Sequence, residues 1–136
     1  MILDDIRAYL VAQNLAPDDN TTAPEGVFLL YEGYIPDDRD TMMCLFETAG
    51  GQPLTMMREV QELHFQLRVR GSRLNYLATR NQWLACFNAL QDSQPTPAYA
   101  LVQCMNYGPL AFNDDRGRPN FISNFKTILT SAQANS

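Results

Sequence analysis

Residues 60–70 constrain the fold more than any other part of the chain. Leu63, Phe65, Leu67 and Val69 alternate strictly with His64, Gln66, Arg68 and Arg70. A period of two over that length predicts a β-strand with one face buried and the other in water. Gly71 and Ser72 interrupt the pattern, and a helical pattern begins at once. Strand and helix are expected to form the spine of one small α+β domain spanning 1–136. The arginines on the polar face are its expected working surface.

The flanking segments fill in the order of elements. Ile2, Leu3, Ile6, Tyr9 and Leu10 have helical spacing, with Asp4 and Asp5 in the first turn, where they complement the helix dipole. Pro17 predicts an end near Asn14. Residues 27–31 and 41–48 read as two strands separated by the turn Pro36-Asp37-Asp38-Arg39-Asp40. Short breaks between these strands and the 60–70 strand predict an antiparallel meander. Residues 73–92 predict the second helix, with Tyr76, Leu77, Trp83, Leu84, Phe87 and Leu90 as its apolar stripe and Trp83 as a core anchor. Pro95 and Pro97 stop it. Strands are then expected at 98–105 and 121–129, the last with apolar residues on both sides and hence central. The whole predicts a mixed, mostly antiparallel sheet of about five strands with two helices on one face. Residues 130–136 are small and polar and are expected to be a flexible tail.

Composition narrows the function classes. No apolar run approaches the roughly 18 residues needed to span a bilayer, and Met1 leads into Ile2-Leu3-Asp4-Asp5 without a basic start, so no secretory signal is expected. Cys44, Cys86 and Cys104 lie far apart, in apolar segments, without Cys-x-x-Cys spacing, which predicts reduced, buried thiols. The net charge of −5 disfavours sequence-independent nucleic-acid binding, which needs a basic patch. The charge is segregated: residues 1–57 hold ten Asp or Glu against Arg7 and Arg39, whereas residues 58–80 hold Arg58, Arg68, Arg70, Arg73 and Arg80 against Glu59 and Glu62. Only Lys126 among the ten basic residues is lysine, and arginine is the residue enriched at protein interfaces.

No catalytic, metal or cofactor motif stands out, and neither an enzyme nor a cofactor is expected. His64 is the only histidine, and no Gly-x-Ser-x-Gly accompanies it. The acids at 37–40 and at Asp114-Asp115 lack the spacing of a calcium loop and read as turn residues. Gly50-Gly51 is not followed by Lys-Ser or Lys-Thr, so it is no phosphate loop.

The run Phe65-Gln66-Leu67-Arg68-Val69-Arg70-Gly71, followed by an Ala- and Leu-bearing helix up to Leu90, resembles the minor capsid or tail terminator proteins of long-tailed bacteriophages. Pro109-Leu110, Asp114-Asp115-Arg116-Gly117-Arg118 and Asn124-Phe125 agree with that family. The resemblance implies a virion structural protein at the tail–neck junction, made in the host cytoplasm. Such proteins form a ring, typically a hexamer, that caps the tail tube, stops its growth and meets the head connector, while DNA passes through the lumen without specific binding. A ring needs two different patches that fit each other. Arg68, Arg70 or Arg73 are expected to pair with Asp37, Asp38 or Asp40 of a neighbour. Leu54, Met56 and Met57 are expected to reach the tube or a neighbouring copy. The alternatives are a head-side adaptor and, from another class, a cytosolic α+β ligand-binding domain or enzyme.

Overall fold

The computed structural model describes residues 2–18, 26–36, 39–48, 61–97, 99–105 and 109–129. The elements are α1 (Ile2–Ala12), β1 (Leu29–Glu32), β2 (Met42–Glu47), β3 (Gln61–Arg70), α2 (Tyr76–Leu90), β4 (Gln103–Cys104), β5 (Leu110–Asn113) and β6 (Pro119–Leu129). The six strands form one mixed sheet in the order β1-β2-β3-β6-β4, with β5 also paired to β6. This is the α+β class that the alternation in β3 predicts. Among the described residues no helix is long and apolar enough to cross a membrane.

The β3–β6 pair is the centre of the molecule. Ten residues of each strand run antiparallel in register, from Gln61 opposite Leu129 to Arg70 opposite Asn120. Their inward row, Phe65, Leu67, Val69, Phe121 and Phe125, is fully or almost fully buried. The rings of Phe65 and Phe125 stack across the pair at 5.2 Å, a contact that contributes ~0.5–1.5 kcal/mol beyond burial. Ile6 and Leu10 of α1 and Trp83, Cys86 and Leu90 of α2 close over this row in one continuous core. Trp83 is the predicted anchor, and its indole Nε1 donates to Ser123 Oγ at 2.8 Å. The Tyr9 hydroxyl donates to the Ala89 carbonyl at 2.9 Å and ties the helices together. Helix α1 stops where Asn14 adopts φ 62°, a left-handed conformation that asparagine tolerates at helix ends.

Four features differ from the sequence expectation. First, β1 and β2 are parallel, Leu29 lying opposite Met42 and Glu32 opposite Leu45, and not two limbs of a meander. The connection is long enough to return before pairing, and two arginine forks hold it. Arg39 donates to the carbonyls of Thr41 and Val27 at 2.9 and 2.8 Å. Arg70 donates to those of Pro36, Arg39 and Asp40 at 2.8, 2.5 and 3.1 Å. Second, the strand expected over 98–105 is a strand only at β4, apart from an isolated bridge at Tyr99. Residues 100 and 105 still donate to Ile128 and Asn124 of β6, but Val102 turns away to exchange hydrogen bonds with Asp92 and Ser93 after α2. Third, β5 has no counterpart in the sequence expectation; it forms a hairpin with β6, closed by residues 114–118. Fourth, Tyr76 and Leu77 do not belong to the buried stripe of α2. The buried positions are Thr79, Trp83, Cys86 and Leu90, while Tyr76 and Leu77 stay exposed, the Tyr76 ring resting 5.3 Å from that of Phe121.

Candidate interaction surface

With both helices on one face, the other face of the sheet presents the polar row of β3. The strand register sets this row: Arg68 lies opposite Ile122 and Arg70 opposite Asn120 on β6, while Phe112 of β5 is opposite Asn120 on its far side. The three sequence-predicted arginines have different fates there.

Arg70 is only 3% exposed. It is consumed by the three carbonyls of the β1–β2 connection, so the expectation that it is exposed to a neighbour's carboxylate is corrected. A flat guanidinium can satisfy several carbonyls at once, and that is why this charge is tolerated inside. Burial holds its pKa below the usual arginine range, and the nearby charge of Arg118 adds to that effect.

Arg68 is half-buried and anchored. Its Nε donates to Asn120 Oδ1 at 3.0 Å, and its guanidinium carbon sits 5.4 Å from the centre of the Phe112 ring, within cation–π range. Burial lowers its pKa too, with Asp114 opposing. The side chain is held by one nitrogen and one ring face and stays partly exposed.

Arg73 is exposed and lies along the β5–β6 turn, its Cγ 3.3 Å from where a Cβ on Gly117 would be. Gly117 has φ 75°, a conformation suited to glycine.

The sequence reading missed the residue that organises this corner, Arg118. Its Nε donates to Asp114 Oδ2 at 2.8 Å and its Nη1 to Asp40 Oδ1 at 3.2 Å. Asp40, expected to face a neighbour, is thus paired within its own chain, although its side chain keeps about half its exposure. Asp114 also accepts from the backbone N–H groups of Arg116 and Arg118. Burial pushes the Asp114 carboxyl up, but those hydrogen bonds and the charge of Arg118 outweigh it and leave the pKa lowered. Asn120 links the pieces: its Nδ2 donates to the Arg118 carbonyl at 3.0 Å and its oxygen receives Arg68. Asp37, Asp38, Leu54, Met56 and Met57 lie outside the described residues.

Beside this polar network lies exposed apolar surface. All four residues of β5 are exposed, and Leu110 keeps 65% of its accessible area. Leu110 and Phe112 flank Arg68 on the helix-free face. Their signal in the sequence is an i, i+2 apolar pair between two turns, too short to be read as a strand. Arginine and aromatic side chains are among the residues enriched at protein interfaces. His64 stands further along β3, its Nε2 2.9 Å from Glu62 Oε2. Among the described residues no group of three or more His, Cys, Asp or Glu is arranged to hold a metal ion. A scan against protein-family models and a search of the curated proteins find no match for this chain.

Proposed function

We propose that the chain is a virion structural protein, a ring-forming tail terminator that caps the tail tube, ends its growth and joins the tail to the head connector. The observation that carries the reading is the corner formed by β5, the β5–β6 turn and the start of α2. Leu110 and Phe112 are exposed beside Arg68 on the helix-free face, and Leu74 and Leu77 are exposed beside Arg73 at the start of α2, in a chain whose net charge is −5. Exposed apolar side chains beside arginine are characteristic of surfaces that bind protein. The resemblance of residues 60–129 to tail terminators supplies the class of partner: further copies, the tube protein and the connector. An acidic net charge suits a conduit through which DNA passes without being gripped.

The test has two readings. Light scattering of the purified chain across a wide concentration range, with and without tail tubes, should detect a closed oligomer. Tubes assembled with the protein present should stop at a defined length, as measured by electron microscopy. A chain that stays monomeric in both conditions while tubes grow without limit refutes the proposal.

A further inference from the structure

The start of α2 projects. Leu74 retains 92% and Leu77 66% of their accessible area, and Arg73 and Arg80 on either side are exposed. The projection is braced: Asn75 Nδ2 donates to Ser72 Oγ at 2.8 Å, and the Asn75 N–H to the Ser72 carbonyl at 3.0 Å. No acidic residue stands in the first turn of α2, and no side chain caps it, so the N–H groups there add positive potential to that of the two arginines.

A surface of the opposite kind lies on α1. An open groove of about 380 Å³ is lined by Ala8, Val11 and Ala12, with Asp4, Arg7 and Asp18 around it. Asp4, Ala8 and Ala12 recur at helical spacing along the exposed side of α1. Beside Asp4 stands Glu32, whose Oε1 is buried with no hydrogen-bond partner. Its carboxyl is held above the usual range first by burial, then by the hydrogen bond and charge of Asp4, against the pull of Arg7. Two carboxyls, Asp4 and Asp18, thus stand with one arginine at the groove, and two arginines with no acid on α2 flank the projecting leucines.

We infer that Leu74 and Leu77 of one copy seat in the α1 groove of the next, with Arg73 and Arg80 reaching Asp4 and Asp18 of that neighbour. This deepens the tail-terminator reading and rests on it, because it names the two patches that the assembly joins. The patches differ, so the contact is heterologous and repeats from copy to copy, as a ring requires. Apolar burial supplies the attraction, and the charges set register and partner choice.

Sedimentation of the full chain and of two double variants tests it. Arg73→Glu with Arg80→Glu makes both patches acidic; Asp4→Arg with Asp18→Arg makes both basic. All four positions are exposed, and circular dichroism checks that each variant folds. Each variant alone is expected to associate at least about tenfold more weakly than the parent chain. An equimolar mixture of the two is expected to assemble again, since each then offers the charge the other lacks. If the parent assembles and both variants assemble equally well, the inference is overturned while the functional reading stands. It is overturned equally if the variants form rings but no longer cap tubes, because the projection then meets the tube and not a second copy. A parent chain that never associates overturns both.

Discussion

Replacing Arg70 by methionine tests whether this arginine is a clamp of the fold or a contact for a neighbour. The side chain is 3% exposed and makes three hydrogen bonds to carbonyls of the β1–β2 connection. A hydrogen bond from a charged donor contributes roughly 1.5–3 kcal/mol net, so three give roughly 5–9 kcal/mol. Two effects offset this. The connection is partly exposed, so its carbonyls can turn to water. Removing the guanidinium also relieves the burial of a charge, which costs several kcal/mol and which the lowered pKa of Arg70 reflects. The expected net loss is about 3 kcal/mol. With an unfolding entropy of about 2.1 cal/mol/K per residue and 136 residues, the melting temperature should fall by roughly 10 °C. Arg70→Lys should lose part of this, since an ammonium is a point charge without the fork. Urea denaturation and differential scanning calorimetry at fixed protein concentration provide the measurement. A loss below about 1 kcal/mol in Arg70→Met, accompanied by weakened self-association, would refute the clamp and restore Arg70 to an interface.

Three further outcomes are expected. Gly71→Ala should destabilise the strand-to-helix junction by ~1–3 kcal/mol, because the new Cβ would fall on Thr79 Oγ1; Thr79→Ala in the same chain should recover part of the loss, read as a coupling energy from denaturation curves. Ser123→Ala should cost about 1–3 kcal/mol by stranding the buried Trp83 N–H, with a change in tryptophan fluorescence. Titration of the native protein with a thiol reagent near pH 8 should modify Cys104 first, since burial pushes the Cys44 thiol up to about 11 and that of Cys86 up to about 12; rapid reaction of all three thiols in folded protein would contradict the packing.

The legible parts of the fold are those whose signal is local. Period-two alternation locates β3, and helical spacing locates α1 and the body of α2, including Trp83. Signals fail where a distant partner decides. The apolar pair in Leu110–Asn113 is too short to mark a strand; the segment becomes one because β6 offers it an edge. The parallel pairing of β1 and β2 depends on Arg70, which is far along the chain from the connection it holds. Tyr76 and Leu77 continue the apolar spacing of α2, yet both stay more than half exposed, Tyr76 meeting the sheet at the ring of Phe121, and periodicity cannot report how far a support extends. The candidate surface is half legible. Arg68 and Arg73 stand on it, whereas Arg118 and Asn120 are invisible in the sequence because their roles come from register with β3 and contact with Asp40.

The preference for arginine over lysine can now be divided between two causes. Read from composition alone, it suggests interfaces. In the structure, four of the nine arginines already have intramolecular work that lysine's single ammonium does poorly. Arg39 and Arg70 each bridge separate carbonyls, Arg118 spans two carboxylates, and Arg68 is held between an amide and a ring. Each uses the planar fork, and together they hold Pro36, Arg39, Asp40 and Thr41 and the turn 114–118 at the same end of the sheet. Arg73 and Arg80, exposed beside unburied leucines, are therefore the arginines best placed to meet a partner. The inward arginines still matter to that surface. By fixing these segments they keep Phe112, Arg68 and the β5–β6 turn in one arrangement before a partner arrives, so that less ordering remains to oppose binding.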